Sequence, residues 1–233
     1  MLTLALDLGA KLRPDILCIG AHCDDIEIGC GATLLLLQQQ YPRCRIHSLI
    51  LTSTAERRRE AIAAAHALVR PAARGVLQIG ELRDGHLPAH FAAVKDQFEA
   101  LRSLVSPQLI FTHHGLDRHQ DHRLVSEVTW QTFRNHQIWE YEIPKYDADL
   151  ATPNMYVPVS AALAKRKFAA IMRAYRSQAG KYWFTADNLN ALLRLRGLEG
   201  RAPSGYAEAF HCRKLSFGAT AAARAPARSR AKK

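Results

Sequence analysis

No two cysteines of this 233-residue chain are spaced as CxxC, and the five present, Cys18, Cys23, Cys30, Cys44 and Cys212, are odd in number. That pattern argues against a disulfide scaffold or a cysteine-type zinc site, and for a reducing compartment. Long hydrophobic runs are missing as well. The longest purely aliphatic one, Leu34 to Leu37, is far too short to span a bilayer. The opening MLTLALDLGAKLRPD carries an aspartate inside its apolar stretch and its basic residues after it. A secretory leader has the reverse order, so a cytoplasmic protein without a transmembrane segment is expected. Residues 218–233 contain no acid and hold five of the +11 formal charges, leaving +6 for residues 1–217. A Gly/Ala/Pro/Arg stretch of that kind cannot bury a core and is expected to be a disordered tail. It also lacks aromatics on which bases could stack, and the rest of the chain matches no nucleic-acid module, so no nucleic-acid partner is expected.

What is present describes one globular unit. Hydrophobic residues make up 48% of the chain, well above a disordered composition, and no internal repeat divides it. Residues 1–217 are therefore read as a single domain. Apolar runs of strand length occupy residues 15–21, 45–52, 75–80, 108–113 and 138–143. Helical patterns at 27–40, 56–69, 91–105 and 122–133 alternate with them. This predicts an α/β fold: a Rossmann-like, doubly wound, mostly parallel sheet with helices on both faces. In the second helix, Ile62, Ala65, His66 and Val69 fall at helical spacing and are expected to face the sheet. Past Pro144 the pattern loosens into an α+β extension, with extended stretches at 155–159 and 207–214 and helices at 161–175 and 185–195.

Two polar clusters follow the apolar runs. Ala21-His22-Cys23-Asp24-Asp25 comes directly after the first, and His119-Gln120-Asp121-His122 comes a short loop after the fourth. If both runs are neighbouring parallel strands, their carboxyl ends bring the clusters into the crevice where open α/β sheets hold ligands. His22, Asp25 and His122 then offer two nitrogens and one oxygen to a single cation, a set that suits zinc and leaves a position open for water. Iron, cobalt or manganese would accept the same donors. Asp24 is placed to act as a general base. His119 is the candidate acid or oxyanion stabiliser, with Asp121 orienting it and favouring its charged form. The remaining histidines are read as core or surface residues, with His113 and His114 close enough to the site to stay in reserve. Gly29-x-Gly31 lacks the third glycine of a dinucleotide fingerprint, and carboxylates before it would repel a pyrophosphate.

With these residues in view, the chain resembles the LmbE-like, or PIG-L, family of metal-dependent de-N-acetylases, whose motifs usually read A-H-P-D-D-E and H-P-D-H. The likeness extends to EIGCGAT (27–33), Arg57-x-x-Glu60, RDGHL (83–87), DRHQDH (117–122), YEIP (141–144), SQ (177–178) and YAEAF (206–210), and covers about residues 12–217. The resemblance implies His22, Asp25 and His122 as zinc ligands, Asp24 as base, and His119 as acid or electrostatic partner supported by Asp121. It also implies that Arg57 and Asp84 hold sugar hydroxyls. Cys23 and Gln120 stand where the family has proline, Ile26 where glutamate is common, and Asp117 where some relatives have an active-site tyrosine. None of these departures removes a proposed ligand, base or acid.

The expectation is thus a zinc-dependent hydrolase that removes the N-acetyl group from an amino sugar resembling N-acetylglucosamine, either free or linked to a nucleotide, lipid or glycan. A homo-oligomer is compatible with this reading. An amidase for another acyl amide is the alternative within the enzyme class. A nucleic-acid-binding protein acting through the basic tail is the contrasting one.

Overall fold

The computed structural model describes Leu6, Leu8 and residues 13–216. Strands β1 (Asp15–Gly20), β2 (Arg45–Thr52), β3 (Arg74–Leu82), β4 (Leu109–His113), β5 (Gln137–Tyr141), β6 (Met155–Pro158) and β7 (Ala207–His211) form one sheet in the order β3-β2-β1-β4-β5-β7-β6. The first five are parallel. The last two are antiparallel to their neighbours, as the α+β extension requires. Side chains alternate across β1: Ile16 and Cys18 enter the core on one face of the sheet, Leu17 and Ile19 that on the other. The central strands β1, β2, β4 and β5 are thus buried on both sides, which explains their near-continuous apolar runs.

Helices cover both faces. α1 (Asp25–Gln40), α2 (Ala55–Leu68) and α5 (Ala161–Ala174) pack together on one side, and α3 (Phe91–Leu104) and α4 (Gln120–Thr132) on the other. α6 (Ala186–Glu199) packs beside β6 and β7. The chain leaves β1 towards β2 on one side, while β4 joins β1 on the other, with Ile16 opposite Leu109 and Cys18 opposite Phe111. The strand order reverses at that point, so a crevice opens between the carboxyl ends of β1 and β4.

One expectation fails. The buried face of α2 is Ala61, Ala64 and Leu68 together with Glu60, not the expected Ile62, Ala65 and His66. Ile62 is only partly buried and His66 is exposed, while Val69 is buried just beyond the helix end. The alanines let α1 and α5 approach closely. Glu60 tolerates burial because Ser177 donates to it through both its backbone N–H (2.8 Å) and its hydroxyl (2.7 Å). The expected tail at 218–233 lies outside the described residues.

The glycine at position 29 shows how tightly α1 sits on the sheet. A Cβ there would collide with the ring of Tyr141. That ring cannot swing aside freely, because its hydroxyl donates to Ile19 O at 2.6 Å inside the core. Gly29→Ala should therefore destabilise the protein by about 1–3 kcal/mol, the usual cost of overpacking. A urea midpoint equal to wild type would show that α1 can shift freely on the sheet.

Candidate active site

Both polar clusters converge in the crevice. His22 leaves the end of β1, and Asp24 and Asp25 begin α1. Asp25 lies where the helix dipole favours an anion. His122 lies in the first turn of α4, whose N-cap is His119. His22 Nδ1 is 3.1 Å from His122 Nε2 and 3.4 Å from an Asp25 carboxylate oxygen, and the other Asp25 oxygen is 3.6 Å from His122 Nε2. Donors about 2.0–2.1 Å from one tetrahedrally bound ion would stand about 3.3 Å apart; the pairwise spacings are near this, with Asp25 turning one oxygen to each histidine.

The distal nitrogens support the same reading. His122 Nδ1 meets Asp117 Oδ2 at 2.9 Å, and His22 Nε2 meets Asp121 Oδ2 at 3.2 Å and Asp84 Oδ1 at 3.0 Å. Carboxylates behind histidines in this way fix ring orientation and raise ligand basicity. Asp121 is itself anchored, accepting from the N–H groups of Gly85 (2.7 Å) and Leu87 (3.0 Å).

Electrostatics suit a cation too. Burial pushes His122 down to about 4, with the nearby His113 adding to the effect, so His122 is neutral, as a ligand must be. Burial also works to raise Asp25, but His113, His122 and His22 outweigh it and hold that carboxyl well below its usual range. His22 behaves in the opposite way. Burial lowers it, yet Asp25, Asp121 and Asp84 raise it well above the ordinary imidazole value. Three carboxylates thus converge on His22, surroundings that would equally favour a divalent ion.

Asp24 is 5% exposed, and although it is the N-cap of α1 its side chain makes no capping bond. It pairs instead with Arg57, Nη2 to Oδ1 at 2.7 Å. Burial raises its pKa and Arg57 pulls against that, with the net shift upward. Arg57 is also held by Glu60 at 3.2 Å and lies over the ring of Tyr175. Asp84 stands 74% exposed at the mouth.

His119 differs from expectation. Its Nδ1 accepts the backbone N–H of Asp121 at 3.2 Å, and the Asp121 carboxylate faces Gly85, Leu87 and His22 instead. The charge of Asp121 still favours the imidazolium form. Burial and the positive His22 outweigh it, and the pKa of His119 is lowered. The backbone bond occupies the lone pair that a second proton would need, so the resting ring is neutral, with Nε2–H as its free donor.

His113, held in reserve by the sequence, belongs to the cluster. Fully buried at the end of β4, it sets Nε2 3.0 Å from Asp25 Oδ2 and stacks its ring on His122 at 3.8 Å. Its signal was a polar residue ending an apolar strand beside the ligand loop. Asp117 had a similar signal, five residues before His122. His114 and His211 stack on each other at 3.7 Å, with His114 on Glu140, and His47 pairs with Asp15. Among the described residues, three groups of donors lie close enough to share a metal: His22, His119 and His122; Asp25, His113 and His122; and His22, Asp84 and Asp121, so the three expected ligands are divided among them.

Comparison with known proteins decides the family. The PIG-L family, described as GlcNAc-PI de-N-acetylase, matches residues 17–133, half of the chain. The deacetylase YaiS of Escherichia coli, itself uncharacterized, is 34% identical over 151 residues, covering 60% of this chain and 80% of its own length. The chain belongs to the PIG-L family. Among solved structures, the N,N'-diacetylchitobiose deacetylase of Pyrococcus horikoshii is similar over 84% of this chain and 82% of its own, with 22% identity and a TM-score of 0.66. A 4-carboxy-2-hydroxymuconate hydratase from Pseudomonas putida is similar over 88% and 98%, with 15% identity and a TM-score of 0.67. At such identities the likeness shows the fold alone, and the same fold carries a hydratase. The chemistry of this PIG-L deacetylase therefore rests on its own side chains. No helix among the described residues is long and apolar enough to cross a membrane.

Proposed function

We propose that the protein is a metal-dependent hydrolase that removes the N-acetyl group from an N-acetylated amino sugar, releasing acetate and a free amine. The observation that carries this is the triad His22 Nδ1, Asp25 and His122 Nε2, mutually 3.1–3.6 Å apart beside the buried carboxylate of Asp24. These three residues would hold zinc, or iron, cobalt or manganese in its place. Such an ion lowers the pKa of a bound water and polarises an amide carbonyl.

Asp24 takes the proton of the attacking water as the new C–O bond forms. Its raised pKa brings it nearer the operating range of a general base than an exposed aspartate would be. The same carboxyl then returns the proton to the amide nitrogen as the C–N bond breaks, since an unprotonated amine is a poor leaving group. Arg57, its guanidinium committed to Asp24 and Glu60, holds that carboxylate in place. Its contact with a sugar hydroxyl is secondary in this reading. Asp84, exposed at the mouth, is the better-placed acceptor for sugar hydroxyls. Asp121 fixes the ring of His22.

His119 stabilises the oxyanion through its Nε2–H, without needing to be charged. Because its pKa is lowered, raising the pH through that value leaves more of the neutral donor, and activity should not fall on the alkaline side on its account. His119→Gln, which keeps a neutral N–H donor, should retain more turnover than His119→Ala. The His119→Ala loss should approach the roughly 10²–10³-fold seen on removing an oxyanion donor. An alkaline limb in wild type that disappears in both variants would restore the acid role that the sequence implied.

Turnover of a different acyl amide, with no loss of acetate from any amino sugar, would favour the amidase alternative. The test is a mass-spectrometric screen for loss of an acetyl group across free, nucleotide-linked and lipid-linked N-acetylhexosamines. No acetate from any member would overturn the assignment. In this proposal the protein works in the cytoplasm on a sugar substrate, and its partner is not a nucleic acid.

A further inference from the structure

Behind the metal-binding histidine lies a second layer of charge from a different part of the chain. Asp117 Oδ1 accepts the backbone N–H of His119 at 2.8 Å, and its Oδ2 meets both His122 Nδ1 and Lys145 Nζ at 2.9 Å. Lys145, on the coil after β5, also meets Asp149 Oδ2 at 2.6 Å. That same Asp149 oxygen accepts the backbone N–H of Arg118 at 2.7 Å. Lys145 and Asp149 are nearly buried, at 11% and 5% side-chain exposure. Between them Ala148 adopts a left-handed backbone, φ 50°. This is a strained conformation for a residue with a Cβ, and it persists only where the surroundings enforce it. Residues 145–149 thus form a clasp that grips the loop carrying Asp117, Arg118 and His119 from the neighbouring strand end.

We propose that Lys145, backed by Asp149, is a positioning residue that holds Asp117 against His122 and so sets the metal affinity of the site. The proposal rests on the reading of His22, Asp25 and His122 as ligands. Two effects of the lysine oppose each other. Its positive charge draws electron density from Asp117, which by Coulomb's law alone weakens metal binding. Its grip keeps the carboxylate aligned on His122 Nδ1, which strengthens it. Asp117 is bonded at both oxygens and the Lys145 ammonium is held between two carboxylates, so the Asp117 carboxylate has one orientation to lose, and alignment dominates. The sign of the affinity change separates the two effects.

The experiment is competition for Zn2+ between a chelator and the full chain, comparing wild type, Lys145→Met, Lys145→Arg and Asp149→Asn, with melting of each metal-free protein alongside. Lys145→Met should bind Zn2+ up to about 10-fold more weakly, because Asp117, the direct partner of His122 whose loss would cost about 10–100-fold, stays but loses its alignment. Lys145→Arg should recover most of that loss. Lys145→Met affinity equal to wild type would make the lysine mere packing, and tighter binding would make it a charge brake. Either result overturns the proposal. If Lys145→Met does not fold, Asp149→Asn decides, since it leaves Arg118 N–H an acceptor and removes the anionic backing. Unchanged affinity there overturns the proposal equally. Failure of wild type to take up zinc would instead overturn the reading of the site itself.

Discussion

Asp24→Asn is expected to keep its metal and to lose turnover by about 10²–10⁴-fold, the usual cost of removing a positioned general base. The substitution is close to isosteric, so the buried pocket around Asp24 should stay filled. Arg57 loses its anionic partner but keeps Glu60. What disappears is the ability to accept a proton from water. Because burial raises the pKa of Asp24, the acid limb of kcat/KM in wild type should lie at higher pH than for an exposed aspartate. Activity needs the ionised form and falls as pH drops through that value. Metal analysis alongside the kinetics checks the assignment. If Asp24→Asn lost metal as completely as Asp25→Ala, the two adjacent carboxylates would have to exchange roles.

The second large effect is expected at His122, the hub of the donor set. Its Nε2 faces both His22 and Asp25, and its ring stacks on His113 and on His119. Replacing it with alanine leaves Asp25 and His22 as an incomplete pair and strands Asp117 with Lys145. His122→Ala, and likewise His22→Ala, should fall from about one equivalent of metal to nearly none, as expected for a site with only three protein ligands. Activity should fall below detection. His113→Ala should be milder, because that residue supports Asp25 without completing the triad. Elemental analysis of the purified variants is the check, and full metal in both ligand variants would sink the assignment.

Much of this architecture was legible in the chain because strands buried on both faces leave unmistakable apolar runs. The expected and observed limits of β2 coincide, and those of the other parallel strands differ by one or two residues. The convergence of the two polar clusters was equally legible, since each stands directly after or one loop beyond such a run. The buried face of α2 was not. Its alanines look alike to a hydrophobic count, and the choice among them depends on how closely α1 and α5 approach. Nor was the orientation of Asp121. Sequence proximity paired it with His119, but the turn at the start of α4 aims its carboxylate at Gly85 and Leu87. Lys145 and Asp149 sit in irregular coil, where no periodicity marks a buried charge. Only the tertiary packing of one loop on another brings them to Asp117.

The most direct measurement of the central claim is a titration of the chelator-stripped full chain with Zn2+, following acetate released from an N-acetylglucosaminide. The site described here predicts almost no release from the stripped protein and a linear rise to a break at about one equivalent. His122→Ala should stay flat throughout. Turnover that survives complete stripping, or that His122→Ala shares, would contradict it.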